Sequence, residues 1–382
     1  MSTNPQARAW VEARADALAE NFRRIRAHVR PDVGILPMVK ADAYGLGMAE
    51  VVDVLEVEEP WGWGVATVEE GARLRALRVA RPILVCSPVP HDELLRGVAL
   101  GLQLSISSLE ALAVVGRAAP SLATPVLVHI DVDTGMGRSG FDWRSAREWL
   151  PAVAAASTAD VRWVGIHTHL HSADVDPGSV REQWERFSGV LRAAEEIGAR
   201  PPDLLVHVLN SAGAFGVPEH ACDLVRPGIF LYGGDVGEGR PAPEPVVAVR
   251  ARVVHVREVP EGTTVGYGAT YRAGRTERWA TLAIGYGDGL PRALGNRGSA
   301  LIAGRRVPII GRISMDLTVV DITGLPQVAV GDVATLIGSD GGESIDLDEV
   351  AREAGTIGYE ILTGLTPRLQ RVWTGPRRPH DG

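Results

Sequence analysis

The sequence predicts an α/β protein in which a (β/α)8 barrel of the TIM type is followed by a mostly β C-terminal domain. Three features support this prediction. Short apolar segments alternate with longer amphipathic ones up to residue 232, a stretch rich in Gly and Pro follows, and the remainder consists of apolar runs separated by turn residues. A chain of 382 residues also exceeds the size at which one hydrophobic core usually stops growing, so two domains are expected.

The first part of the chain contains eight candidate strands. They are residues 35–40, 62–66, 83–85, 102–106, 126–131, 164–169, 204–208 and 223–226. Helical patterns such as 108–117 and 178–199 lie between them, and an amphipathic helix precedes the first strand. Eight parallel strands with intervening helices close most economically into a barrel, whose active site lies at the C-terminal ends of the strands.

The second part begins after GGDVGEGRPAPEP, which breaks any periodicity as a linker does. Beyond it, apolar runs such as VVAVRARVVHV and RVPIIGRIS alternate with turn residues, and no long helical pattern occurs before Asp348. We therefore predict a barrel domain over 12–235, a linker over 236–245 and a mostly β domain over 246–382. Residues 1–11 are expected to pack with the second domain.

Composition restricts the class of protein. The net charge is −8, which argues against a nucleic-acid partner, and no apolar run approaches the roughly 20 residues that a membrane span needs. The N-terminus lacks the basic and apolar regions of a secretory signal. The two cysteines, Cys86 and Cys222, are too few for a disulfide framework, and we interpret both as packing residues. We expect a cytoplasmic protein with no membrane or nucleic-acid partner.

Lys40 is the first candidate for chemistry, because it ends the first predicted strand in the segment MVKADAYGLG. A lysine at the rim of a barrel can be shielded enough for its amine to form an imine. Taken alone, however, a lysine at a strand end is more often simply solvated. The interpretation of Lys40 therefore depends on the motifs around it.

Motifs in both predicted domains resemble, in order, those of the alanine racemase family of fold-type III pyridoxal-phosphate enzymes. The family signature Lys-Ala-Asn-Ala-Tyr-Gly-His-Gly reads KADAYGLG here, with Asp42 and Leu46 as departures. The other matching segments are DTGMGRSG (133–140), GIHTHLHSAD (165–174), LNSAG (209–213), VRPGIFLYGG (225–234), VGYGATYRA (265–273), IGYGDGLPR (284–292), GRISMDLTVVD (311–321) and GTIGYEILTGLTPRLQR (355–371). The resemblance covers nearly the whole chain.

The resemblance implies interconversion of L-alanine and D-alanine, for cell-wall precursors or another D-alanine-consuming pathway. Lys40 would bind pyridoxal 5′-phosphate covalently and then serve as one acid/base group. Inversion at a planar carbon needs a second acid/base group on the opposite face, and Tyr267 matches the family's second base. Since Tyr267 lies in the second domain, the resemblance also implies a homodimer with active sites shared between chains.

The resemblance assigns further residues to the site. Arg226 would face the pyridine nitrogen as a permanent hydrogen-bond donor, and His169 would pack on the cofactor ring. The remaining cofactor-binding residues are Tyr44, Asn210, Ser211, Gly228, Ile229 and Tyr359. Arg138 and Met315 would bind the substrate, and the residues along the access channel are Tyr286, Arg292, Arg312 and Asp316.

Asp131 departs from many family members, which carry a carbamylated lysine at this position. We hypothesise that Asp131 supplies the negative charge that holds Arg138, either directly or through a water or a bound anion, because its side chain is much shorter. His167, His169 and His171 lie on one face by strand alternation, a pattern that could also form a zinc site. No metal is expected, because the family uses none.

Several alternative functions remain open at this stage. The same chemistry could act on serine or on a broad range of amino acids. A related barrel-plus-β-domain decarboxylase is another reading, but such enzymes use an acidic group at the pyridine nitrogen, where this chain has Arg226. Small pyridoxal-phosphate-binding barrel proteins that are not enzymes lack a second domain.

Overall fold

A computed structural model describes residues 6–375. The first elements of this described part are strand β1 (Ala9–Arg14) and helix α1 (Ala15–His28). Helix α1 buries Leu18, Phe22 and Ile25, which recur at helical spacing on one face. Strand β1 belongs to the C-terminal domain, whereas α1 packs against the barrel, so the first residues of the chain connect the two domains.

Eight parallel strands form the barrel. They are β2 (Gly34–Ile35), β3 (Trp63–Val65), β4 (Ile83–Val85), β5 (Gln103–Ile106), β6 (Val126–Asp133), β8 (Val161–His167), β9 (Leu205–His207) and β10 (Leu224–Val225), with β7 (Phe141–Asp142) attached to β6. Their order is β2-β10-β9-β8-β6-β5-β4-β3. A parallel bridge between Met38 and Gly64 joins the two ends of this sheet and closes the barrel.

Helices cover the outside of the barrel. They are α3 (Met48–Glu56), α4 (Val68–Ala76), α5 (His91–Ala99), α6 (Leu109–Ala118), α7 (Ala146–Ala156), α8 (Pro177–Glu196) and α9 (Ser211–Gly216), while α2 (Lys40–Tyr44) is a single left-handed turn. Several begin at a residue whose side chain accepts a backbone N–H of the first turn, as Thr67, Ser108 and Asp176 do. These caps set where each strand-to-helix loop ends.

The C-terminal domain is built mainly from strands. They are β11 (Val247–Val259), β12 (Thr264–Val265), β13 (Tyr271–Arg272), β14 (Glu277–Leu282), β15 (Ser299–Ile302), β16 (Arg305–Pro308), β17 (Thr318–Asp321), β18 (Val333–Asp340), β19 (Glu343–Ile345) and β20 (Gln370–Thr374). Two helices, α10 (Leu347–Ala354) and α11 (Gly358–Gly364), lie between β19 and β20. The main sheet has the order β16-β15-β18-β11-β1-β20. Strand β1 pairs with β11 antiparallel and with β20 parallel, so the N-terminal strand lies inside this sheet.

The predicted fold, a (β/α)8 barrel followed by a mostly β domain, is confirmed, with two local corrections. Strand β2 ends at Ile35, so Lys40 does not end a strand; Pro37 has no N–H with which to continue the ladder. Strand β8 ends at His167, so His169 lies two residues beyond it in the following loop. Both corrections place the side chain in a loop at the C-terminal rim of the barrel.

The domain bounds 12–235, 236–245 and 246–382 stay predictions, and residues 376–382 of the last range lie outside the described residues. Within the described chain, 233–246 carries no helix or strand. Over the same described span, 6–375, no helix is long and apolar enough to cross a bilayer.

Candidate active site

A cavity opens at the C-terminal ends of the barrel strands and gathers most of the predicted site. Its lining consists of Met38, Lys40, Tyr44, Cys86, Ser87, Asp131, Arg138, His167, His169, Asn210, Ser211, Arg226, Gly228, Ile229 and Tyr359. All nine residues predicted to bind the cofactor are therefore brought together, along with Arg138 and Asp131. Only Tyr359 comes from the C-terminal domain, on α11.

Lys40 begins a turn of unusual backbone conformation. Ala41, Asp42 and Ala43 have φ of 53° and Tyr44 has φ of 56°, and none of them is glycine. The left-handed conformation costs an L-residue roughly 1–2 kcal/mol, so four in succession need external support. The turn reverses the chain directly after Lys40 and leaves Lys40 and Tyr44 on the wall of the same cavity.

Arg226 is buried at the cavity and donates only to neutral acceptors. Its Nη1 donates to Nδ1 of His207 at 2.8 Å and to the His207 carbonyl at 2.9 Å, and its Nη2 donates to the Thr168 carbonyl at 2.8 Å. Burial lowers the pKa of Arg226 below its usual range, but a guanidinium starts so high that it stays protonated. The site thus contains a fixed positive charge that can donate but cannot release a proton.

A chain of buried hydrogen bonds continues from Arg226 through the barrel. His207 Nε2 lies 2.8 Å from Nδ1 of His129, and His129 Nε2 lies 2.7 Å from Oε1 of Gln103. Burial lowers the pKa of His129 to about 3 and that of His207 well below its usual value. Both rings are therefore neutral, and because Arg226 can only donate, each ring protonates Nε2 and passes its hydrogen bond towards Gln103.

The loops after β9 and β10 form a narrow cradle. Ser211 Oγ accepts the N–H groups of Gly228 and Phe230 at 2.8 and 3.4 Å. A Cβ atom at Gly228 would lie 2.1 Å from the Tyr44 hydroxyl, so a side chain there would displace that phenol. The N–H of Ile229 donates to no acceptor within residues 6–375, and it lies on the cavity wall.

Two phenols border this cradle. Tyr44 stacks on Tyr232 with ring centroids 4.5 Å apart and lies 6.0 Å from the ring of Tyr359. Burial raises the pKa of Tyr359 to about 12 and also raises that of Tyr44. Both hydroxyls therefore keep their protons near neutral pH and can donate hydrogen bonds to an anion.

Asp131 is buried and hydrogen-bonded to hydroxyl groups. Its Oδ2 accepts from Ser139 at 2.9 Å and from Ser107 at 3.1 Å, and its Oδ1 lies 3.6 Å from Nδ1 of His167. Burial raises the pKa of Asp131, and the two serines oppose that effect. Arg138 forms no hydrogen bond or ion pair with any described residue, so its guanidinium is not held by direct contact with Asp131.

The predicted residues of the C-terminal domain other than Tyr359 lie outside this cavity. Tyr267, Met315 and Tyr286 are 67%, 52% and 40% exposed and do not line the Lys40 cavity of the same chain. The loops of Tyr286 and Met315 are linked, because the Tyr286 N–H donates to the Ser314 carbonyl at 3.0 Å. The other site residues predicted in this domain, Arg292, Arg312 and Asp316, are also outside that cavity.

The sequence matches two family models, "Alanine racemase, N-terminal domain" over residues 14–236 and "Alanine racemase, C-terminal domain" over residues 246–373. The chain belongs to the alanine racemase family. Among its relatives in this family, the alanine racemase of Desulfosudis oleivorans is 37% identical over 377 residues, covering 96% of both chains. That of a Nostoc species is 36% identical over 96% of this chain and 95% of its own.

Solved structures of alanine racemases share the fold. The enzyme from a D-cycloserine-producing Streptomyces lavendulae has a TM-score of 0.91 and 31% identity, over 99% of this chain and 100% of its own. The Bacillus anthracis alanine racemase with bound L-Ala-P has a TM-score of 0.89 and 30% identity, over 98% of this chain and 96% of its own. The predicted membership of this family of pyridoxal-phosphate enzymes is confirmed.

Sequence reasoning missed four residues of the cavity lining, namely Met38, Cys86, Ser87 and His167. Cys86 packs against the core, as expected, but also lines the cavity. Cys86 and Ser87 directly follow strand β4, and the rule that barrel sites form after the strands would have found them. His167 Nε2 is 2.7 Å from Ser105 Oγ, while its buried Nδ1 has no hydrogen-bond partner among the described residues.

Proposed function

We propose that this chain interconverts L-alanine and D-alanine with pyridoxal phosphate as its cofactor. The observation that carries the proposal is the single cavity in which Lys40, Arg138 and Arg226 meet, in a chain that aligns with alanine racemases over 96% of its length. An amine, a free guanidinium and a buried guanidinium are the groups needed to bind an amino acid and a pyridine ring together.

The residues present fit pyridoxal phosphate. The cradle of Ser211, Gly228 and Ile229 offers donors at the loops after β9 and β10. These are the seventh and eighth barrel strands, after which barrels usually bind phosphate. Asn210, Tyr44 and Tyr359 border the cradle. A Cβ at Gly228 would close the cradle, which explains the glycine there. When bound, the cofactor supplies an electron sink that acidifies the substrate Cα proton.

The residues of the chain then divide the work. Lys40 holds the cofactor and moves the Cα proton on one face, and Arg138 binds the substrate carboxylate. Arg226 would donate to the pyridine nitrogen and would keep its own proton, so the ring would accept less negative charge. His169 is neutral, because burial and nearby cations lower its pKa to about 3, so it orients groups without adding charge.

We propose that Tyr267 moves the proton on the opposite face, from a second copy of the chain. This assignment is supported by the exposure of Tyr267, Met315 and Tyr286, which lie outside the Lys40 cavity of their own chain. Large side chains that are exposed together usually mark an interface. The partner proposed is therefore a second copy in a homodimer. Its Met315 would bind the substrate at the shared site, and the residues along the access channel would be Tyr286, Arg292, Arg312 and Asp316.

The small-molecule partner is the amino acid, and no nucleic acid or membrane is part of the proposal. A cytoplasmic location is supported by Cys86 and Cys222, both of which are unpaired thiols. D-alanine made there would supply cell-wall precursors or another D-alanine-consuming pathway.

The direct test is to incubate the purified protein and pyridoxal phosphate with single L-amino acids in deuterated water. We expect D-alanine to form with deuterium at Cα, and Lys40→Ala to abolish both directions of turnover. Serine and larger amino acids form the comparison set for specificity. If no amino acid changes hand while cofactor is bound, the proposed activity is wrong.

The shared site has its own test. Lys40→Ala and Tyr267→Phe chains are unfolded together and refolded as a mixture. A heterodimer then contains one site with both native residues, so about a quarter of wild-type activity should return from two impaired proteins. If both residues act within one chain, no activity beyond that of the separate variants should appear.

A further inference from the structure

The left-handed turn after Lys40 is held from outside by helix α4. The N–H of Ala41, the residue directly after Lys40, donates to Oε1 of Glu70 at 2.6 Å. The other oxygen, Oε2, accepts the N–H of Ala66 at 2.8 Å and that of Thr67 at 3.2 Å. One half-buried carboxylate therefore ties the lysine's own turn to the end of the neighbouring strand-to-helix loop.

Glu70 already has a local role, which its contact with Ala41 extends. Thr67 is the N-cap of α4, its Oγ1 accepts the Glu70 N–H at 3.1 Å, and Glu70 completes the capping box. For its part of the capping box, the Glu70 side chain needs only to accept the backbone N–H of Thr67 with one oxygen. The second oxygen is free to reach Ala41, 29 residues earlier in the chain.

A second residue of α4 supports the same turn. Arg73 Nη2 donates to Oδ1 of Asp42 at 2.6 Å, and the same oxygen accepts the N–H of Met48, the first residue of α3, at 3.2 Å. The family signature has Asn at position 42, and an aspartate here adds an ion pair with Arg73. Both side chains are half-exposed, so solvent screens this pair and its contribution is small.

We propose that Glu70 is a positioning residue for Lys40. Its carboxylate stabilises a backbone conformation that Ala41, Asp42, Ala43 and Tyr44 disfavour, and this conformation keeps the lysine amine at the cavity. The stabilisation is charge-assisted, because a carboxylate accepts all three N–H groups. This inference rests on the proposed role of Lys40 in holding the cofactor.

The test compares Glu70→Ala with Thr67→Ala. Thr67→Ala removes the N-cap acceptor but leaves the Glu70 contact with Ala41, so it is a matched control for loss of α4 stability. For each protein we would measure the thermal midpoint and the rate at which added pyridoxal phosphate becomes covalently attached, trapped with borohydride and located by peptide mapping. We expect Glu70→Ala to slow attachment at Lys40 about tenfold or more, and Thr67→Ala to leave the rate near wild type.

Other results separate the two proposals. If borohydride places the cofactor on no lysine, or on one other than Lys40, in the wild-type protein, the proposed function fails. If wild type is labelled at Lys40 and Glu70→Ala is labelled equally fast, or no more slowly than Thr67→Ala, the positioning role is wrong. Should Glu70→Ala not fold, Glu70→Gln serves instead, because its NH2 group opposes one of the backbone N–H donors and should slow attachment to a smaller degree.

Discussion

Arg226 donates a hydrogen bond from Nη1 to Nδ1 of His207, with the two nitrogens 2.8 Å apart. This contact fixes the tautomer of His207, because a ring nitrogen that accepts carries no proton. His207 must then donate from Nε2 to His129, and His129 must donate to Gln103. An acceptor at Gln103 is therefore the arrangement that leaves His207 with a lone pair facing Arg226.

We predict that Gln103→Glu weakens cofactor binding. A carboxylate at this position stabilises a protonated His129, whose Nδ1 proton forces His207 to carry its own proton on Nδ1, facing Arg226. Two opposed buried donors cost about 1–3 kcal/mol, which corresponds to roughly 5- to 150-fold in the dissociation constant of pyridoxal phosphate, measured by absorbance titration. Gln103→Met is the control, because it removes the acceptor without reversing the direction of the hydrogen bonds between His129 and His207. Equal losses of affinity in both variants would contradict the tautomer argument.

The buried histidines predict acid-sensitive stability. Burial lowers the pKa of His129 and His169 to about 3, whereas an unfolded histidine titrates near pH 6.5. Between these values the unfolded state binds more protons, so the free energy of unfolding falls as the pH drops from about 6.5 towards 3. Each such histidine contributes a slope approaching about 1.4 kcal/mol per pH unit. Urea unfolding of the apoprotein at several pH values measures the slope.

A variant isolates the contribution of His129. His129→Gln should reduce the acid slope by about one histidine's share, since glutamine does not titrate. His255→Gln, at an exposed histidine, should leave the slope unchanged. The prediction is wrong if His129→Gln shows the same pH dependence of unfolding free energy as wild type.

We predict that Arg138→Gln mainly raises the KM for alanine. Arg138 has no partner among the described residues, so its guanidinium is available for a substrate carboxylate. A hydrogen bond to a charged group contributes about 1.5–3 kcal/mol, which corresponds to roughly 10- to 150-fold in KM. Steady-state kinetics would measure this, with Arg144→Gln, at an exposed arginine six residues further along the chain, as control. An unchanged KM would remove Arg138 from the substrate site.

Asp131→Asn should raise the same KM by less, up to about tenfold, because Asp131 acts on Arg138 by its charge and not by contact. The raised pKa of Asp131 adds a pH signature. As the pH falls, the wild-type carboxyl becomes neutral, so the wild-type KM should rise towards that of Asp131→Asn, while the variant's KM stays flatter. Unchanged substrate affinity in Asp131→Asn at neutral pH would count against the hypothesis that Asp131 supplies the anion.

The sequence allowed the barrel, the second domain and the residues around the cofactor cavity to be predicted, because these depend on periodicity and on motifs at strand ends. The turn after Lys40 was not predictable, since alanine and tyrosine rarely adopt left-handed backbone. The T-x-x-E pattern at Thr67 and Glu70 is visible as a capping box, but its reach to Ala41 depends on tertiary structure. Likewise, the sequence shows His129 and Gln103 as ordinary strand residues, and their link to His207 forms only when β5, β6 and β9 belong to one closed barrel.

Strand β1 lies between β11 and β20, which begin 238 and 361 residues after it starts, at Val247 and Gln370. During synthesis all eight barrel strands are available once Val225 has emerged, yet the second sheet lacks β20 until Thr374 has emerged. The barrel can therefore form first, while β1 stays unpaired until β11 and β20 are synthesised. A fragment that starts at the linker would expose the edge of β11, so cutting the chain between its domains should not yield two independent halves.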